Sequence, residues 1–418
     1  MQTIMPFRKL FLAALLLTAA ATASAGREPG GQVFHAVVAQ DGTGDYRTVQ
    51  AAIDAAPEGR TEPWRIYIKQ GTYVEHVDIP ASKPFLSLIG EGRGRTQISF
   101  DRLCGGPTGV KVDEGATVTA RSSDLYFEGI DFVNSHGHEQ KDGPQALALY
   151  TQNDRVALSR CGLLSFQDTW LTAFHRPNLR HYATRCFIEG AVDFIYGQGN
   201  VYFDRDTLYI TRKKSGYIVA PNHAPETQWG YVFRDAVITA PGDAIETQVY
   251  LGRPWHGQPK TVFIDTHAYV TIYPDGWRNH MGGLPAVFAE HNTMDGYGHP
   301  QDLSQRCSRY WVLNEQKDTV WCTSKAVVTA DEAALYTVDN VLGGTDRWQP
   351  RQIANPCAQP VVGQQGKYLM WQPVADAVGY MVVVNDREVH FTQQCRFVFN
   401  KKNTYRVRSV SRWGALSE

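Results

Sequence analysis

FEGIDF at Phe127, LSRCGL at Leu158, ATRCFI at Ala183, FDRDTL at Phe203, FRDAVI at Phe233 and FIDTHA at Phe263 are loosely related runs. Their starts lie 31, 25, 20, 30 and 30 residues apart. A drifting repeat of this length, built from short apolar strands and broken by Gly, Asn, Asp and Pro, is the pattern of a solenoid. Varying steps mean that loops of varying length leave a constant coil. The expected architecture is all-β, a parallel β-helix whose coils stack about 4.8 Å apart like neighbouring strands. The competing fold is a β-sandwich, but sandwich strands tend to recur every ~8–12 residues and rarely repeat in sequence.

Helix signals are sparse around this core. One is YRTVQAAIDAA from Tyr46 to Ala56, stopped by Pro57, and the other is ADEAALYTV from Ala330 to Val338, with Thr329 as its cap. Near residue 355 the pattern changes. Residues 356–418 form a small C-terminal β-rich extension that partly resembles a fibronectin type III sandwich through Trp371-x-Pro373, Tyr380 and Tyr405-x-Val407. A solenoid end needs covering, so capping is favoured for it over glycan binding. The main domain is read as 26–355.

The first 25 residues read as a secretory signal: Arg8-Lys9, an apolar run from Leu10 to Ala21, and the small-x-small triplet Ala23-Ser24-Ala25. The run is shorter than the ~20 residues of a bilayer span. The mature chain is therefore expected to be exported, periplasmic or extracellular, and not held in a membrane. Export permits disulfides, and Cys307/Cys322 and Cys357/Cys395 are candidate pairs among the seven cysteines. With 41 basic against 42 acidic side chains the chain lacks the basic excess of a nucleic-acid binder. Aromatics at 11% together with 37 glycines suit a strand-and-turn protein with a carbohydrate-sized groove.

Two adjacent repeats share one frame: Cys161-GLLSFQ-Asp168 and Cys186-FIEGAV-Asp193, 25 residues apart at both ends. If a coil takes that length here, Asp168 stacks on Asp193 and Cys161 on Cys186. Carboxylates so close cannot both ionise freely, which leaves one acid and one base near neutral pH. An isolated Asp in a solenoid more often caps a turn, but two in matched frames beside Phe166, Trp170, Phe194 and Ile195 point to chemistry. The cysteines read as small buried ladder residues. Arg253, in the run YLGRPWHG from Tyr250, offers a planar fork that can grip one carboxylate. Trp255 offers a face to a sugar ring. Gln145 and Gln167 are amide donors suited to a developing oxyanion, or else ladder amides. His136 and His138 read as an exposed pair on a loop, and no cluster has metal-ligand spacing, so neither metal nor cofactor is expected.

Taken together, GTYVE from Gly71, QALAL from Gln145, QDTW from Gln167, GAVDFIYG from Gly190 and LGRPW from Leu251 resemble the signature series of the pectinesterases, over about residues 41–350. The resemblance implies a right-handed parallel β-helix that hydrolyses methyl esters of polygalacturonate, with methyl-esterified pectin as partner and a monomer as the working unit. It implies Asp193 as nucleophile, Asp168 as proton donor and later base, and Arg253 as the group holding Asp193. Gln145 and Gln167 would form the oxyanion site, Trp255 would stack on the polysaccharide, and Tyr196 would line a subsite. Departures are Val112 in place of a usual threonine, Trp170-Leu171 in place of Leu-Tyr, and His280 in place of a second tryptophan after Trp277. They bear on subsite preference. Competing functions are a β-helix glycosidase, a non-catalytic glycan-binding solenoid, and an acetyl esterase.

Overall fold

The computed structural model describes residues 32–418 except 107, and the signal segment lies outside them. Three parallel sheets of ten, nine and eight strands run the length of a right-handed β-helix, each coil giving one strand to each sheet. Sheet A begins at Ala36–Val38, sheet B at Gly71–Val74 and sheet C at Val77–Ile79. The repeat read from sequence is the register of sheet A. Phe127 pairs with Leu158, Leu158 with Ala183, Ala183 with Phe203, Phe203 with Phe233 and Phe233 with Phe263. The last three place their rings face to face at 4.1 and 4.2 Å inside the coil.

Register is held because a slip of one residue would turn every inward side chain to solvent. The bend from sheet A to sheet B uses one left-handed residue per coil: Gly129, Arg160, Arg185, Arg205, Asp235 and Asp265, with φ between 52° and 63°. Cys161 and Cys186, one position further on, are buried neighbours: Phe187 N donates to Cys161 O at 2.9 Å.

The first coil is closed by the helix Val49–Ala55, whose Val49, Ala52 and Ile53 are buried. It starts three residues later than the sequence suggests because Thr48 caps it and Glu75 accepts from the N–H groups of Val49 and Gln50. The second expected helix divides into Ala330–Ala334 and Val338–Leu342, since Thr337 caps a new helix by accepting from Asn340 N.

Residues 356–418 form two three-stranded antiparallel sheets around Leu369, Trp371, Tyr380, Val382 and Val407. Met381, Val410 and Leu416 pack with Tyr67, Ile89 and Tyr126 on the outer face of sheet A, and Arg65 Nη1 donates to Arg412 O at 2.9 Å. That face is apolar along its length, so the contact removes greasy surface from water.

All seven cysteines are free, so the two candidate disulfides are absent. Cys307 Sγ turns to Arg309 O at 3.3 Å and Cys322 Sγ to Pro285 O at 3.7 Å, while Cys395 Sγ meets the Tyr380 hydroxyl at 3.6 Å. Among the described residues no helix is long and apolar enough to cross a membrane.

Candidate functional site

The site lies where sheet B bends into sheet C. Gln167 bridges Val192 in parallel register, so Asp168 and Asp193 occupy equivalent places on successive coils, and Asp168 N donates to Val192 O at 3.1 Å. Both aspartates are left-handed, with φ of 61° and 50°. This is a conformation that Asp tolerates better than most residues, and it breaks the strand alternation at the same point on both coils. Phe194 and Trp170 then turn inward to the core, and the two aspartates are only 6% and 7% exposed.

Arg253 arrives two coils further on. Its Nε donates to Asp193 Oδ1 at 2.8 Å and its Nη2 to Oδ2 at 2.5 Å. This is the bidentate fork, charge-assisted and partly buried. Its backbone is fixed by Arg253 N donating to Val219 O at 3.0 Å.

Burial raises the pKa of both aspartates, and Arg253 opposes the rise at Asp193. Asp168 is lifted well above the usual carboxylate range, first by burial and then by the negative charge of Asp193. The Tyr196 hydroxyl and the Gln167 amide, polar groups facing Asp168, work against that rise. The pair is therefore unequal: both carboxyls lie above their ordinary value, Asp168 far above it and Asp193 with Arg253 working against the rise.

Gln145 sits on the coil before that of Asp168, and Gln167 on the coil of Asp168 itself: Ala146 N donates to Gln167 O at 3.1 Å. Each amide is seated against a glycine. A Cβ on Gly105 would fall 2.2 Å from Gln145 Oε1, and one on Gly143 would fall 2.7 Å from Gln167 Oε1. Gly105 has φ of 90°, so both its space and its backbone demand glycine. Gln145 Oε1 is buried without a hydrogen-bond partner among the described residues.

Tyr196 is 5% exposed and faces Asp168, whose charge pushes its hydroxyl up after burial does. Trp255 is half-buried, with its ring 5.6 Å from that of Tyr196 and stacked on Phe174 at 5.9 Å and 14°. Of the departures, Val112 is half-buried against the apolar cluster that holds Cys104, and Leu171 joins Tyr150 and Tyr196 on the outer face of sheet C. Trp277 is wholly buried on Phe288, and His280 stacks on Trp311 at 4.5 Å. His136 and His138 lie on a short helix, not a loop, facing Asp101 and Glu189.

Sequence reasoning passed over three contributors. Phe174 completes the aromatic pair with Trp255. Cys104, whose thiol is pushed up to about 12 by burial and then by Asp168, closes the floor beside the acid. Tyr217 lies under the guanidinium of Arg253, whose carbon is 4.4 Å from the ring centre. The coil spacing could have found Tyr217, since it aligns with Tyr250 in sheet C. Nothing in sequence brings the 104–116 loop to Asp168.

A sequence model of the pectinesterase family matches residues 35–345. A tomato (Solanum lycopersicum) pectinesterase/pectinesterase inhibitor is 30% identical over 318 residues, covering 74% of this chain and 51% of its own. A carrot (Daucus carota) pectinesterase is 34% identical over 249 residues, 58% of this chain and 75% of its own. A solved structure of pectin methylesterase from carrot superposes with a TM-score of 0.62 at 26% identity, covering 77% of this chain and 96% of that one. The chain spans about half the length of several curated relatives that it matches.

Proposed function

This chain belongs to the pectinesterase family, and on that premise we propose that it is an exported esterase that removes methyl groups from polygalacturonate, giving pectate and methanol. The observation that carries the reading is the pair of stacked aspartates with one member gripped by Arg253 at 2.8 and 2.5 Å. A glycosidase also uses two carboxyl groups, set ~5–9.5 Å apart across a glycosidic bond. It has no evident need for a guanidinium clamping one of them or for two amides beside the other.

Asp193, ionised and oriented by Arg253, attacks the ester carbonyl carbon. The carbonyl electrons move to oxygen, where the Gln145 and Gln167 amides meet the developing charge. Asp168 gives its proton to the departing methoxy oxygen, releasing methanol and leaving an anhydride between Asp193 and the uronate carbonyl. Asp168, now charged, takes a proton from water as the water attacks that carbonyl. Cleavage returns Asp193 as carboxylate and Asp168 as acid. Trp255 with Phe174 offers the aromatic surface against which the polymer lies.

The test is product analysis on highly methylated pectin, scoring methanol, acetate and new reducing ends together. Methanol alone is the expected result. New reducing ends without methanol would indicate a glycosidase, acetate without methanol an acetyl esterase, and no product at all a binding solenoid.

A further inference from the structure

Tyr217, Tyr250 and Tyr273 stand on successive coils next to the one that carries Asp193. Their rings form a column. Tyr217 stacks on Tyr250 at 5.3 Å and 11°, and Tyr250 on Tyr273 at 4.3 Å and 21°. Arg253 reaches past this column toward Asp193, its guanidinium carbon 4.4 Å from the centre of the Tyr217 ring. One edge of the guanidinium is spent on Asp193, and a bidentate pair of that kind still tilts about its own axis unless a face is held. Tyr217 supplies that hold, because a cation over an aromatic face is attracted by the ring quadrupole.

The far end of the column is anchored. The Tyr273 hydroxyl accepts from Ser215 N at 3.3 Å, which ties it to the turn that leads into Tyr217. The Tyr273 carbonyl accepts from Arg306, itself paired with fully buried Glu290 at 2.6 Å. Tyr217 thus has both Arg253 and Tyr250 against its half-buried ring.

We propose that the Tyr217–Tyr250–Tyr273 column is a positioning device for Arg253: it fixes the guanidinium plane and thereby sets how strongly Asp193 is held ionised. The inference deepens the esterase reading and rests on it for the role of Asp193. The groups that face Asp193 and its neighbour are Asp168, Arg253, Tyr217 and Tyr196, with Cys104 and Tyr150 behind Tyr196. Of these only Arg253 favours the charged form of Asp193 directly. Loosening it therefore moves the titration of Asp193 to higher pH.

The experiment is a carboxyl titration by NMR on protein labelled with carbon-13 at aspartate, the Asp193 signal being assigned by its loss in Asp193→Asn. Tyr217→Leu is expected to raise the Asp193 midpoint by about one pH unit, a tenfold weaker hold on the charged form. Tyr217→Phe, which keeps the ring, is expected to leave it where it was. Tyr250→Leu, one ring removed, should give a smaller change in the same direction. The acid limb of methanol release should move with the midpoint. A native-like Tyr217→Leu with an unmoved midpoint overturns the proposal, as does a Tyr217→Phe that moves as far as the leucine. If Tyr217→Leu does not fold, Tyr250→Leu decides: an unmoved midpoint there also overturns it. The NMR readout stands apart from turnover. A protein that releases no methanol, yet shows the raised midpoint, refutes the esterase reading and supports the column.

Discussion

Arg253 holds Asp193 from two coils away, with Nε on one carboxylate oxygen and Nη2 on the other. The span is set by the solenoid. Tyr217 occupies the intervening coil, and Gly252, aligned with Val219 on that coil, brings the Arg253 backbone in close.

Replacing Arg253 by lysine keeps the charge and loses the fork. Methanol release at neutral pH is expected to fall about 10- to 100-fold, as when one charge-assisted hydrogen bond worth ~1.5–3 kcal/mol is lost. The acid limb of the pH–rate profile should move up because Asp193 loses its main stabiliser. Initial rates between pH 4 and 8 check both.

Asp193→Asn and Asp168→Asn should each leave circular dichroism unchanged and remove turnover. For Asp168 the expected loss is about 10²–10⁴, the usual contribution of a general acid. For Asp193 the loss should be deeper, because the covalent route itself is gone. Full activity in either variant would sink the assignment.

Gly105→Ala tests the seat of Gln145 without touching a reacting group. The added methyl would fall 2.2 Å from Gln145 Oε1, at a backbone φ of 90°. The amide must move, so kcat is expected to drop toward the ~10²–10³ loss typical of a missing oxyanion donor. Gln145→Ala should cost about the same, and the double variant little more, since both remove one interaction.

Asp168 also makes a stability prediction with a defined sign. Its folded pKa lies above its unfolded value, through burial first and Asp193 second. The folded state therefore keeps the proton longer, and the stability this group contributes is present below the unfolded pKa and lost as pH rises through the folded one. Asp168→Asn escapes that loss. Its melting temperature should match the parent near pH 3 and exceed it increasingly as pH rises, levelling off above the folded pKa. The gain is about 1.4 kcal/mol for each pH unit that separates the folded from the unfolded pKa. Calorimetry across that range measures it, and a gain that shrinks with pH would contradict the sign.

The sequence by itself determined the coil. Six related runs carried the register of sheet A, and the matched Cys-x₆-Asp frames set Asp168 over Asp193 from spacing alone. These are legible because a parallel solenoid turns sequence spacing directly into stacking, and because a register slip would expose the whole inward row. What only the tertiary structure decided are contacts between coils and the segments laid over them. Gln145 rests on Gly105 because the 104–116 loop folds back, Tyr196 turns its hydroxyl to Asp168, and Tyr217 lies under Arg253. Residues 356–418 found the apolar flank of sheet A, and the cysteines took other partners. Such contacts depend on how loops of unequal length close over a common core, and spacing along the chain carries no record of that closure.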